Sequence, residues 1–205
     1  MGLGDDIKEI YQDVGSEIYI LRDNETYSGE YIDSELNAQV TKPFIREHHR
    51  ETSFQYDTRA TAGDIIQIAP TSEKFLVVNL DDELLEGETI EKAGVLYKCN
   101  VSGELLRPSG EVRGEYSYHI QSGWETLRDT AYGLLVQSLY GSDILQNEDI
   151  GQIEVSGLEL FLPENYGAQP LDRYMAISGE YFKIETVKKW RHPGVVVCEV
   201  VEDTR

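Results

Sequence analysis

The last third of the chain contains its tightest constraint, a set of β-prone runs joined by turn residues. From Asp172 it reads Asp-Arg-Tyr-Met-Ala-Ile, then Ser178-Gly179, then Glu-Tyr-Phe-Lys-Ile-Glu-Thr-Val. Ser-Gly between two such runs is a hairpin signal, because glycine supplies the positive φ that a tight turn requires. A polar corner, Lys188 to Pro193, leads into Gly-Val-Val-Val-Cys-Glu-Val-Val, with few residues after it. The apolar run Val195–Val201 is too short for a globular helix and rich in β-branched residues, which predicts a buried strand. A chain built this way is a sheet protein, and its function is expected on its loops and outer faces.

Composition narrows the class. With 205 residues, 40% of them hydrophobic, the chain has enough apolar material for a real core. It is expected to form one β-rich domain, residues 1–205. Asp and Glu outnumber Lys and Arg 38 to 18, for a formal charge of -20. Such a surface repels nucleic-acid phosphates and anionic membranes. No stretch approaches the roughly 20 apolar residues of a membrane helix, and the N-terminus has no apolar signal core. Gly2 suggests a myristoylation motif, but Asp6 stands where that motif needs Ser or Thr. Cys99 and Cys198 both fall in apolar strand-like runs and read as buried, reduced thiols.

Along the chain, Asp5 to Val14 predicts a short helix, with acids in its first turn, Ile7, Ile10, Tyr11 and Val14 on one face and Gly15 as its stop. Strands are expected at Glu17–Leu21, Tyr27–Ile32, Asp64–Ile68, Lys74–Val78 and Gly94–Val101. Residues 41–62 are polar and read as a long loop or extended arm. The acidic run Asp81–Glu91 reads as a solvated loop, and Arg107-Pro108-Ser109-Gly110 as a turn. Ser122-Gly123-Trp124-Glu125 has the form of a capping box. Trp124, Leu127, Ala131, Leu134, Leu135 and Leu139 then follow helical spacing, which predicts a second helix over 122–141. Alternation resumes from Ile153 and Val155 to Leu162, with a phase slip at Ser156-Gly157 that predicts a β-bulge. The fold class is therefore mainly β with two helices, a β-barrel or sandwich with α+β elaborations.

The segments Asp64–Ile68, Lys74–Val78 and Gly94–Val101 faintly echo Tyr174–Ile177, Tyr181–Val187 and Gly194–Val201. Their cysteines fall one position apart, so the register is not kept; two generic strand sets account for the echo, with a true duplication as the alternative.

No catalytic pattern stands out. There is no Gly-x-Ser-x-Gly elbow, phosphate-cradling glycine loop or dinucleotide fingerprint. His48, His49, His119 and His192 form no metal-spaced pair, and the run from Asp81 to Glu88 lacks the alternation and glycine of a calcium loop. The expectation is no enzyme, no metal and no cofactor. The local charge contrast is informative: Lys42, Arg46, His48, His49, Arg50 and Arg59 gather positive charge in an acidic protein. They are the candidate contact residues, a basic arm docking on the acidic body of a neighbour or partner. Thirteen tyrosines against five phenylalanines also suit partly wet contact surfaces.

The chain resembles the neck proteins of tailed bacteriophages, the head-completion or stopper class of head–tail connectors. The likeness lies in Met1–Ser16 with the strand Ile18–Arg22, in Tyr56-Asp57-Thr58 with Gly63–Ile66 and Lys74–Val78, and in Ile177–Glu185 with Pro193–Arg205. The resemblance implies a structural virion protein, made in the host cytoplasm, that forms a cyclic homo-oligomer between portal or adaptor and tail proteins. Such rings use a head-to-tail interface, and an acidic lumen passes DNA without specific binding. The alternatives are another tail component, such as a tail terminator or host-binding accessory domain, and a soluble carboxylate-dependent hydrolase.

Overall fold

The computed structural model describes residues 2–22, 25–36, 48–113, 120–137 and 157–203. One helix, α1 (Leu3–Val14), precedes twelve strands: β1 (Ser16–Arg22), β2 (Glu25–Leu36), β3 (His49–Gln55), β4 (Ile65–Ile68), β5 (Lys74–Leu85), β6 (Glu88–Lys98), β7 (Val101–Arg113), β8 (Ile120–Gln137), β9 (Leu158–Pro163), β10 (Arg173–Ala176), β11 (Tyr181–His192) and β12 (Val195–Glu202). They close into two antiparallel six-stranded barrels, ordered β1-β2-β3-β6-β5-β4 and β7-β8-β9-β12-β11-β10. Pairing of β1 with β4 closes the first, and pairing of β7 with β10 closes the second.

The two barrels are versions of one unit. Arg22 at the end of β1 grips Asp64, with Nε donating to Oδ1 at 2.8 Å and Nη2 to Oδ2 at 2.5 Å. Arg107 in β7 grips Asp172 in the same way, at 2.9 and 2.8 Å. Each arginine also donates to a loop carbonyl, of Arg59 or Gly167, at 3.0 and 2.8 Å. Each aspartate accepts from a turn amide, of Thr61 or Gln169, at 2.8 Å in both cases. The turns themselves match. Asp64 N–H bonds the Thr61 carbonyl and Asp172 N–H bonds the Gln169 carbonyl. The residue before each aspartate has positive φ, 92° at Gly63 and 77° at Leu171.

The sequence echo therefore marks the second half of each barrel, β4–β6 and β10–β12, but in a different register. Leu96 lies opposite Val77 as Val200 lies opposite Ile184, so Gly94 corresponds to Cys198. Cys99 corresponds to Asp203: their amides bond the carbonyls of Lys74 and Tyr181, which stand at matching positions.

Between the barrels lies a shared apolar seam. Ile65, Leu76, Val78 and Tyr97 of the first barrel pack with Leu134, Phe161, Val195 and Val197 of the second. Alternate residues on the same strands fill the two barrel interiors, for example Ile66, Phe75 and Val77 in one and Leu160, Val196 and Cys198 in the other. The backbones also touch, since a Cβ on Gly63 would lie 2.1 Å from the Gly194 carbonyl oxygen.

The seam explains a misreading of the sequence. The helix expected over 122–141 is strand β8, Ile120–Gln137, as far as the described residues extend. Leu127, Ala131 and Leu135 face the second barrel's core while Tyr132, Leu134 and Val136 face the seam. A strand apolar on both faces loses its period of two, and its apolar positions imitate helical spacing. The acidic run 81–91 is likewise not a loop. It forms the exposed outer part of the β5–β6 hairpin, turned by Glu86 and Gly87, both at positive φ as in a type I′ turn. Arg107–Gly110 lies within β7 rather than in a turn, with a register shift after Pro108. The Ser156-Gly157 slip falls largely outside the described residues.

Two outcomes test the clamp. Replacing Arg107 with Met leaves Asp172, 1% exposed, without its cation, and is expected to cost about 3 kcal/mol in denaturant unfolding, as for a broken buried pair. Leu171→Gly relieves a left-handed backbone at an exposed side chain. It is expected to raise stability by a few tenths to about 1 kcal/mol.

Candidate contact surface

The residues singled out in the sequence separate on folding. Lys42 and Arg46 lie outside the described residues. Of the expected arm, 41–62, residues His49–Gln55 form β3, hydrogen-bonded to β2 on one side and β6 on the other. Arg50 belongs to its own barrel. Its guanidinium lies 5.0 Å from the Phe75 ring centre and Nη2 reaches Glu73 at 3.5 Å. Arg59 donates from Nε to Glu30 at 2.8 Å and covers Tyr27 at 5.0 Å. Glu30 is buried and also accepts from the Thr58 hydroxyl. Positive charge that looked available for docking is thus neutralised within the barrel that carries it.

His49 enters the seam. Its ring stands 5.4 Å from Tyr97, which meets Phe161 edge-on at 5.7 Å, and His192 lies 6.1 Å from Phe161. One histidine from each barrel therefore flanks an aromatic pair at their junction, and His48 sits half-buried just before β3. Burial pushes both His49 and His192 below the ordinary imidazole value. The neighbouring Arg191 cation lowers His192 further, while Glu51 partly offsets the effect at His49. The half-buried Cys99 thiol and the buried Cys198 thiol are pushed up to about 12 by burial, so both stay protonated and unreactive at neutral pH.

Next to the seam, a cleft of about 300 Å3 is lined by Arg22, Thr61, Asp64, Glu164 and Asn165 among others. Its charged pair, Arg22 with Asp64, is already engaged in the clamp. Among the described residues no group of three or more His, Cys, Asp or Glu side chains could hold a metal ion. No described helix is long and apolar enough to cross a membrane.

A different surface has the make-up of a contact site. On the outside of the second barrel, Arg173 lies 4.2 Å from the Trp124 ring centre and 5.4 Å from that of Tyr181. Asp203, itself buried, fixes the guanidinium through Nε at 3.1 Å and Nη2 at 2.7 Å. Trp124 and Tyr181 remain 38% and 37% exposed, and Val201 is exposed two strands away from Arg173. Strand parity explains the face. Tyr174 and Ala176 of β10 point into the barrel, leaving Arg173 and Met175 outside, with Lys183 opposite Arg173 and Tyr181 opposite Met175. A tryptophan, a tyrosine and a fixed arginine are the side chains that dominate protein contacts, and here their rotamers are already restricted. The visible sequence signal was the alternation Arg-Tyr-Met-Ala. The partners Trp124 and Asp203 come from distant strands, and no local pattern joins them.

No family model matches the chain, and no curated protein matches it. Two solved structures show a low similarity. One is a complex of K. pneumonia MrkH with c-di-GMP, at 7% identity, covering 98% of this chain and 85% of that one with a TM-score of 0.16. The other is MrkH in its apo state, at 8% identity, with the same coverage and a TM-score of 0.14. Superpositions this loose carry no argument about fold or ligand.

The seam histidines set a pH dependence. Their folded pKa values lie below the unfolded 6.5, so the unfolded chain takes up protons first as pH falls through that value. Their contribution to stability is then present above the unfolded value and is lost as pH falls below 6.5 toward the lowered folded values. Thermal midpoints across that window should show the decline, and the His49→Phe/His192→Phe double variant should flatten it.

Proposed function

We propose that this protein is a non-catalytic contact module, which binds its neighbours through side-chain patches on two fused barrels. The observation that carries the reading is the Trp124–Arg173–Tyr181 cluster, two exposed rings over a largely covered arginine that Asp203 holds in place. Closed barrels support it. Within the closed wall of each barrel the strands pair on both sides, so open edges are confined to the hairpin extensions and a partner at the wall has to read side chains.

The setting that fits this reading is the one implied by the resemblance of the sequence: a ring in the neck of a tailed phage, joining portal to tail and passing DNA. A net charge of -20 suits a channel past which DNA must slide without sticking. In a head-to-tail ring the aromatic patch of one copy would meet a different surface on the next. The internal pairing of Arg50 and Arg59 transfers the contact role from the basic stretch to this patch. A tail component elsewhere in the virion would use the same patch on another partner.

Substituting Trp124→Ser with Tyr181→Ser removes the two rings and leaves the Arg173–Asp203 pair intact. The wild type is expected to give closed oligomers on crosslinking at high concentration, read by mass photometry. The variant should remain monomeric with its thermal midpoint unchanged. Oligomers that persist in the variant overturn the patch as the contact, and a wild type that stays monomeric overturns the ring. Imaging of virions lacking the protein separates neck from tail: heads that leak DNA beside separate, complete tails mark a neck role, and normally joined, filled particles exclude an essential one.

A further inference from the structure

We propose that the outer face of α1 and the tip of the β5–β6 hairpin together form a second docking site, which takes a basic amphipathic helix of a partner protein.

The helix is held to the first barrel along one line only. Gly4 rests against the Tyr56 ring, so close that a Cβ there would come within 3.0 Å of it. The Tyr11 hydroxyl donates to Glu91, and the Tyr56 hydroxyl donates to Asp5 at 2.8 Å. A separate row, Leu3, Ile10 and Val14, repeats at helical spacing and stays outside, at 47%, 56% and 79% exposure. The N-terminal turn of α1 reaches the hairpin tip, with Gly4 beside the Thr89 carbonyl. Thr89 is the cross-strand partner of Leu84, and Leu84 and Leu85 are 65% and 49% exposed. Five of the large exposed apolar side chains thus belong to two adjoining elements, whereas scattered single ones would need no explanation.

Charge selects the occupant. Asp6, Glu9 and Asp13 are exposed on α1, and Asp81, Asp82, Glu83, Glu86 and Glu88 are exposed on the adjoining hairpin. The lysines there are engaged, Lys8 with Asp57 at 2.5 Å and Lys92 with Asp82 at 3.6 Å. An anionic bilayer is repelled by such a face. A second copy of the chain is a poor match as well, because Arg22, Arg50, Arg59, Arg107, Arg173 and Arg191 are each paired with an acid of their own barrel. What fits is a segment with aliphatic anchors at helical spacing and lysines or arginines at its margins, lying ridge against groove on α1. The second barrel has no helix before β7, so the site belongs to the first barrel alone.

The test uses the full chain and three fluorescein-labelled peptides of roughly 18 residues: a Leu/Lys amphipathic helix, a scrambled isomer of equal charge, and a Leu/Glu counterpart. Fluorescence anisotropy is expected to show one-to-one binding of the first, about tenfold or more tighter than the scrambled isomer, and none of the third. Ile10→Ser with Leu84→Ser should weaken it about tenfold with the circular-dichroism spectrum unchanged, and Trp124→Ser should leave it intact. Equal binding of the scrambled isomer overturns the proposal, since charge alone would then account for it. Full binding by the Ile10/Leu84 variant overturns the placement. Self-association through this face, abolished by the same variant, would assign the site to a second copy instead.

Discussion

The seam between the barrels is the constraint to which the rest of the structure answers. Six strands, β4, β5, β6, β8, β9 and β12, supply apolar side chains to it while their alternate residues fill a barrel interior. Where it lines the seam such a strand has no solvent face, so it loses the alternation that usually marks a sheet, and a charge there needs a partner, as Glu159 of β9 has in Lys188 and Arg191. Close approach follows from the same demand. Where the Gly63 and Gly194 backbones meet, no side chain fits on either residue, since a Cβ on Gly194 would lie 2.1 Å from the Ala62 carbonyl oxygen. His49 and His192 enter the seam as tilted rings, against Tyr97 and Phe161, and their burial there disfavours the charged forms.

The Arg–Asp clamp does for each barrel what the seam does for the pair. It joins the first strand of each barrel to the turn before the fourth, the two strands whose pairing closes the barrel. Asp64 and Asp172 satisfy a guanidinium and a turn amide at once, which lets a carboxylate be buried at the closure point without an unpaired charge. The turn geometry came with it. Leu171 keeps the positive φ that Gly63 adopts without steric cost, with Pro170 before it at the first corner, as a type II turn prefers. A barrel that retains a strained leucine rather than relaxing the turn shows how strongly the clamp dictates its local backbone.

Legibility in the sequence follows solvent exposure. Helix α1 was readable because its two faces differ, and β10 and β11 because Ser178-Gly179 sits between alternating runs, with Gly179 at a φ of 95°. The mainly β class was readable for the same reason. The second helix was misread because Leu127, Ala131 and Leu135 face the barrel core, Leu134 faces the seam and Trp124 lies outside, and a strand apolar on both faces looks helical to any periodicity test. The repeat was visible as an echo but misaligned, because the strands of the two barrels differ in length and the cysteines that drew the eye are not equivalent. Contact residues were the least legible. Arg50 and Arg59 are conspicuous in an acidic chain, but their partners Glu73 and Glu30 are remote in sequence, and charge counting cannot tell an engaged arginine from an available one.

Closure and duplication together decide where function can reside. A six-stranded barrel filled by its own side chains has no room inside for a ligand of any size, and its closed wall leaves edges for strand addition only on the hairpin extensions. The seam consumes one side of each barrel. What remains are the outer faces, and there the two barrels differ. The first carries α1 and a projecting acidic hairpin, and the second carries an arginine braced by an aspartate between two aromatic rings. Because the seam buries apolar residues of both barrels, these dissimilar faces belong to one packed body. A unit used twice, with its clamp kept and its surface changed, is a direct way to build a part that meets two different partners.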